Sequence, residues 1–143
     1  MATLKVEVVT PENALWVGEA KSLVARSSEG WFTILPQHTS TVGDLVAGIV
    51  RVDTDAGEIA FAVHGGYFQV GPDETEGVTL ATILAGVAEK VSDIDVARAQ
   101  GAQEAAQAAL AAASPGRSEN PGPYLVAQSA LERAELRLQA TTK

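Results

Sequence analysis

The chain has no cysteine. Disulfide staples, thiolate metal sites and thiol nucleophiles are therefore excluded, while the lack of disulfides says little about compartment. Positive charge is also scarce: ten Lys and Arg stand against eighteen Asp and Glu, for a formal net charge of −8. No basic face is left to neutralise a phosphate backbone, so no nucleic-acid partner is expected. Long apolar runs are missing, and "MATLKVEVV" has neither the cationic start nor the apolar stretch of a signal peptide. The expectation is a soluble, non-secreted chain with no direct membrane insertion. Only two histidines occur, His38 in "LPQHT" and His64 in "VHGGY". No nucleophile-elbow or triad signature lies near them, and they lack the spacing of metal ligands, so no catalytic and no metal site is expected. "GDLVAG" carries no lysine and lies in strand-like sequence, which removes the phosphate loop as well. The histidines read as turn or strand-end residues.

What is present divides in two. Residues 1–88 hold eleven acids and four bases, whereas 89–143 hold seven acids and six bases. Apart from Tyr124 every aromatic lies before residue 71, and alanine dominates after residue 94. These shifts place a boundary near residues 86–92 and give two expected domains, 1–88 and 89–143. In the first, "LKVEVV", "SLVAR", "WFTIL", "GIVRV", "EIAFAV", "YFQV" and "VTLATIL" read as short strands separated by Gly, Pro, Asn or Asp clusters. Many short strands with close turns form a β-sandwich or flattened barrel. "HGGY" is expected to be a tight two-glycine hairpin between two of them.

The second domain has helical period. Ser92 or Asp93 is the expected N-cap, with Asp95 well placed for the positive end of the helix dipole. Ile94, Ala97, Gly101, Ala105, Ala108 and Ala112 make a stripe of small residues that buries little area but permits close approach. "SPGRSENPGP", the loop 114–123, ends that helix. A second helix is expected from about Tyr124 to Ala140, with Ala127, Leu131, Ala134 and Leu138 on one face. The whole is α+β: a sandwich followed by an antiparallel two-helix hairpin.

The stretch "IDVARA" is the most informative. On a wheel with Ile94 at zero, Arg98 falls at about 40°, between Ala105 and Ala109 and inside the small-residue stripe, with Asp95 at its edge. Arg133 and Arg137 are one turn apart on the second helix. A hairpin closing about its loop would bring three guanidinium groups together. One account is a helix ion pair of Asp95 with Arg98, worth about 0.3–0.5 kcal/mol. The other is an anion held by guanidinium forks, with Glu89 and Asp95 as counter-charge or as acceptors from a ligand's donors. Spacing leaves both open.

Taken in order, "VVTPENALWVGEA", "GWFTILPQHT", "AVHGGYFQV", "ILAGVAEKVSDIDVARA" and "RAELRL" resemble the epsilon-subunit family of bacterial F-type ATP synthases over nearly the whole chain. The resemblance implies a non-catalytic rotor subunit at the cytoplasmic face of the bacterial plasma membrane, peripheral and in complex. Its sandwich would pack on the gamma subunit and the membrane c-ring, with an apolar patch marking the contact. Its hairpin would switch between a folded form and an extended form that reaches the catalytic alpha and beta subunits and inhibits ATP hydrolysis. Some members bind ATP on the folded hairpin through Ile/Leu-Asp-x-x-Arg-Ala, matched here by Ile94, Asp95, Arg98 and Ala99. Glu89, Arg133 and Arg137 match the remaining positions. The implied ATP-binding set is thus Glu89, Asp95, Arg98, Ala99, Arg133 and Arg137, with ATP a regulatory ligand and no cofactor required. A stand-alone nucleotide-sensing module of the same shape is the alternative.

Overall fold

Leu4, Val6 and Val8 are fully buried while Lys5 and Glu7 point the other way along β1 (Thr3–Val9), the alternation of a strand with one face in a core. The computed structural model of the chain describes residues 3–141; residues 1–2 and 142–143 of the two expected domains lie outside them. The chain divides into Met1–Ser92 and Asp93–Lys143.

The first unit adds β2 (Ala14–Ala20), β3 (Ser22–Ser27), β4 (Gly30–Ile34), β5 (Thr41–Thr54), β6 (Gly57–Pro72), β7 (Val78–Ala85) and β8 (Ala88–Lys90). The hydrogen-bonded order is β2-β1-β7-β6-β5-β3-β4, with β8 also on β6. β1 runs parallel to β7, and the other pairings are antiparallel. The long strands β5 and β6 belong to both layers of the sandwich. Over Gly66–Pro72 β6 pairs with β7, and over Phe61–Val63 it pairs with β8. The core between the layers holds Leu4, Val6, Val8, Leu23, Ile34, Val52, Phe61, Val63, Val70 and Ile83, and the Phe32 and Phe68 rings meet at 4.5 Å.

The expected "HGGY" hairpin does not form. The chain runs on through it: His64 pairs with Ala47 and Gly66 with Leu45 in the same register, the pairing skipping only Gly65 and Val46. The glycine pair twists the ribbon instead of reversing it. Before it Phe61 and Val63 face the core; after it Phe68 and Val70 do, and Tyr67 points out. The inward parity therefore switches from odd to even. Gly65 and Gly66 take φ of 108° and 153°, and a Cβ on Gly66 would collide with the Leu84 carbonyl oxygen. No other residue fits there. Two strands, β2 and β8, lie outside the runs read from sequence, because β2 has little buried apolar content and β8 is only three residues long. In "LPQHT", Pro36 precedes Gln37 at φ 68° and the His38 N–H donates to the Leu35 carbonyl at 3.1 Å, as in a type II turn. The Gln37 N–H donates to the buried Thr79 hydroxyl at 2.8 Å, which holds that turn on the sandwich.

The second unit is a hairpin of α1 (Val96–Ala113) and α2 (Gly122–Thr141), with a short helical turn at Ser114–Gly116 between them. The N-cap of α1 is Asp95, not Ser92 or Asp93: its carboxylate accepts the Arg98 N–H at 3.0 Å. Val91–Asp93 form a separate 3₁₀ turn. At the other end the Ser114 hydroxyl donates to the Leu110 carbonyl at 2.7 Å. α2 starts slightly before Tyr124, with Pro123 in the first turn, where a missing N–H costs nothing. The Arg117 guanidinium lies 5.5 Å from the Tyr124 ring and fastens the connection to α2.

The seam of α2 is the expected one, with Ala127 and Ala134 buried and Leu131 and Leu138 half-buried. The seam of α1 is not. Ala99 and Ala106 are buried, Gln103, Leu110 and Ala113 are half-buried, and Ala97, Gly101, Ala105, Ala108 and Ala112 are exposed. Both observed seams step by four and three residues, 99-103-106-110-113 and 127-131-134-138-141, the spacing of helices packed at a shallow angle. Alanine on nearly every side made two frames of α1 equivalent. Leu110, the large apolar residue of its interior, belongs to the frame that is buried.

Candidate functional site

The N-cap fixes where the residues of "IDVARA" point. Asp95 spends a carboxylate oxygen on the Arg98 backbone N–H, so the two residues meet through the main chain as a helix cap. Ala99 turns into the seam and is buried. Arg98, one residue earlier and so about 100° around the helix, is exposed rather than in the seam. The wheel put it in the wrong place because it used the wrong frame.

The axial expectation fares better than the angular one. Arg98 lies fifteen residues before the end of α1 and Arg137 fifteen residues after the start of α2. At a rise of ~1.5 Å per residue both are about 22 Å from the connection, so an antiparallel hairpin carries them at the same end, with Asp95 beside them. Arg133, a turn nearer the connection, and Arg137 are both half-buried.

Glu89 is on β8 and so belongs to the sheet unit. Its side chain is 30% exposed, and its Oε1 lies 3.8 Å from Nε2 of His64, whose side chain is 7% exposed. His64 is therefore an interior residue of a long strand, not a turn residue. Glu89 stands opposite Ala62 on β8, which puts it diagonally across from His64 on the face turned away from the sandwich core. Nothing in the sequence brought the two together, because the pairing of three-residue β8 with β6 carries no local signal. His38 stays in its turn, with Nδ1 2.8 Å from the Thr39 carbonyl. Among the described residues no group of three or more His, Asp or Glu side chains could hold a metal ion.

A second feature lies on the outer face of the layer containing β7. Val17, Val42, Tyr67 and Leu84 are 49, 71, 64 and 43% exposed. Register places Tyr67 beside Leu84, while in the next row of the same face Val42 and Val17 stand at opposite ends with Gln69, Thr82 and Glu7 between them. At its edge Val9, Thr10, Pro11, Leu84, Ala85 and Gly86 line a cavity of ≈ 320 Å³.

The chain is thus a β-sandwich with exposed apolar side chains on its outer face, followed by a two-helix hairpin with Arg98 and Arg137 toward its open end. The chain belongs to the ATP synthase delta/epsilon chain family: the family's beta-sandwich domain matches residues 3–91 and its long alpha-helix domain residues 92–142. It is thus a non-catalytic epsilon-type subunit of the F-type ATP synthase central stalk, and the stand-alone module is set aside. It is 36% identical over 141 residues to the ATP synthase epsilon chain of Moorella thermoacetica, covering 98% of this chain and 97% of that one. With the ATP synthase epsilon chain of Alkalihalophilus pseudofirmus it shares 41% identity over 110 residues, 77% of this chain and 78% of that one. A chain in the cryo-EM structure of the Euglena gracilis mitochondrial ATP synthase (OSCP/F1/c-ring, rotational state 1) has the same fold. Its TM-score is 0.75 at 22% identity, over 99% of this chain and 83% of that one. No helix among the described residues is long and apolar enough to cross a membrane.

Proposed function

We propose that the hairpin is a two-state regulatory element whose folded form holds ATP, and that the sandwich anchors the chain to its rotor partners. The observation that carries the ATP reading is the placement of Arg98 and Arg137 at one end of the antiparallel helices, with Asp95 capping α1 there. Two guanidinium forks at one level suit phosphate oxygens. Arg133 adds a third cation one turn away, the small Ala99 keeps the helices close, and Asp95 accepts from the ligand's donors. ATP that binds only the folded form would shift the equilibrium away from an extended form that meets the alpha and beta subunits and inhibits hydrolysis, by as much as its differential affinity for the two.

The apolar face of Val17, Val42, Tyr67 and Leu84 is the surface proposed for the gamma subunit, with the membrane c-ring as the further contact. In that arrangement the chain would sit at the cytoplasmic face of the bacterial plasma membrane, attached through its complex. Calorimetry on the isolated chain tests the ligand: wild type is expected to bind ATP, and Arg98→Ala to weaken binding about tenfold, the loss of one charge-assisted contact. No heat at millimolar ATP, or equal binding by the variant, would refute the ATP reading.

A further inference from the structure

The connection between the two helices spans residues 114–123, and a segment of that length without internal bonds could lead α2 away from α1 in any direction. It is bonded throughout instead. The Leu110 carbonyl accepts both the Ser114 N–H and, at 2.7 Å, the Ser114 hydroxyl, which closes α1. The Arg117 N–H then donates to the Ser114 carbonyl at 3.3 Å, and the Glu119 and Asn120 N–H groups share the Gly116 carbonyl at 3.1 and 2.9 Å. As α2 begins, the Leu125 N–H donates to the Pro121 carbonyl at 2.9 Å. Pro115, Pro121 and Pro123 fix φ at three places along the same path. One side-chain contact joins its two ends: the Arg117 guanidinium, just beyond α1, lies 5.5 Å from the ring centroid of Tyr124, in the first turn of α2. Arg117 is exposed and forms no ion pair among the described residues, so the half-buried ring is the partner the geometry gives it. Tyr124 is also the one aromatic residue of the sequence that lies outside the sheet unit.

We propose that this connection is a clasp: Arg117 on Tyr124 holds the entry of α2 beside the exit of α1, so the hairpin parts from its free end and straightens only when that contact is given up. The seam by itself holds the pair weakly, because buried Ala99, Ala106, Ala127 and Ala134 contribute little apolar area. A contact between residues close in sequence closes a small loop at low entropic cost, so it persists while the seam opens and returns the helices to one another. Its regulatory consequence rests on the two-state reading above: ATP would close the end that carries Arg98 and Arg137, the clasp sets the opposite end, and releasing it raises the population of the extended form. The clasp itself stands on contacts within the hairpin and needs no ligand.

Amide hydrogen exchange of the full chain without ATP tests the clasp, because it reads rare openings of the native state. Arg117→Gln and Tyr124→Leu are each expected to speed exchange about two- to fivefold in the last turns of α1 as well as in the first turns of α2, the range of one exposed cation–π contact. The double variant should exceed neither single one, since both remove the same contact. Tyr124→Phe keeps the ring face and should match wild type. Unchanged exchange in the single variants, or a response confined to α2, which is local fraying, would overturn the clasp. Regulation is read separately on the assembled ATP synthase, where Arg117→Gln is expected to deepen inhibition of ATP hydrolysis about two- to fivefold. Faster exchange in both helices with unaltered inhibition would overturn the two-state reading and leave the clasp standing.

Discussion

The two units are stabilised by different means. The sandwich closes on large side chains, with Phe61, Leu4, Leu23, Ile34 and Ile83 fully buried between two layers. The hairpin seam is mostly alanine: Ala99, Ala106, Ala127 and Ala134 are buried and Leu110, Leu131 and Leu138 only half-buried, with Leu136 the buried leucine of the unit among the described residues. At about 25 cal/mol per Å² of apolar surface, an alanine seam yields a small fraction of what an aromatic core does. Under the proposed two-state reading, the aromatic and aliphatic core suits the unit that stays in place and the alanine seam suits the unit that opens.

The comparison can be broken most forcefully in the sandwich. Phe61→Ala is expected to cost about 3–5 kcal/mol, through lost burial and the cavity left behind. Both tryptophans, Trp16 and Trp31, lie in the sheet unit, so their fluorescence reads that unit while helical circular dichroism reads the hairpin. The variant should lower the denaturant midpoint seen by fluorescence far more than that seen by dichroism, and equal shifts would show that the units do not differ as described. Gly66→Ala should act in the same place, costing at least about 1–3 kcal/mol for the backbone conformation alone and more for the Cβ against the Leu84 carbonyl. Its fluorescence transition is again the readout. In the hairpin, Asp95→Ala removes the α1 cap and should cost about 0.5–2 kcal/mol, seen as a loss of helical signal at mild denaturant with the fluorescence transition unmoved.

How much of this was legible in the sequence follows the same division. Alternation identified β1, β3, β4 and β7, because Leu4, Val6 and Val8 or Ala81 and Ile83 leave a clear period of two. The glycine pair misled, since positive φ at Gly65 and Gly66 serves a switch of the inward-facing side within a continuing ribbon as well as it serves a hairpin. Which one occurs depends on the partner strand β5, which is remote in sequence. α2 was readable because Leu131 and Leu138 mark one face; α1 was not, because its alanines fit two frames and a single leucine chooses between them. That error moved Arg98 into the seam, although its level along the hairpin was right. Ile94, Asp95, Arg98 and Ala99 were visible as a motif, but the role of Asp95 as a cap and the contact of His64 with Glu89 needed the three-dimensional arrangement.

The central claim is that ATP stabilises the folded hairpin and leaves the sandwich as it was. Amide hydrogen exchange of the full chain, with and without saturating ATP, tests it most directly. ATP should slow exchange in α1 and α2, with protection rising toward the end that carries Arg98 and Arg137, and leave the strands that frame Phe61 and Ile83 unchanged. Bound ATP with no added protection in either helix would contradict the account.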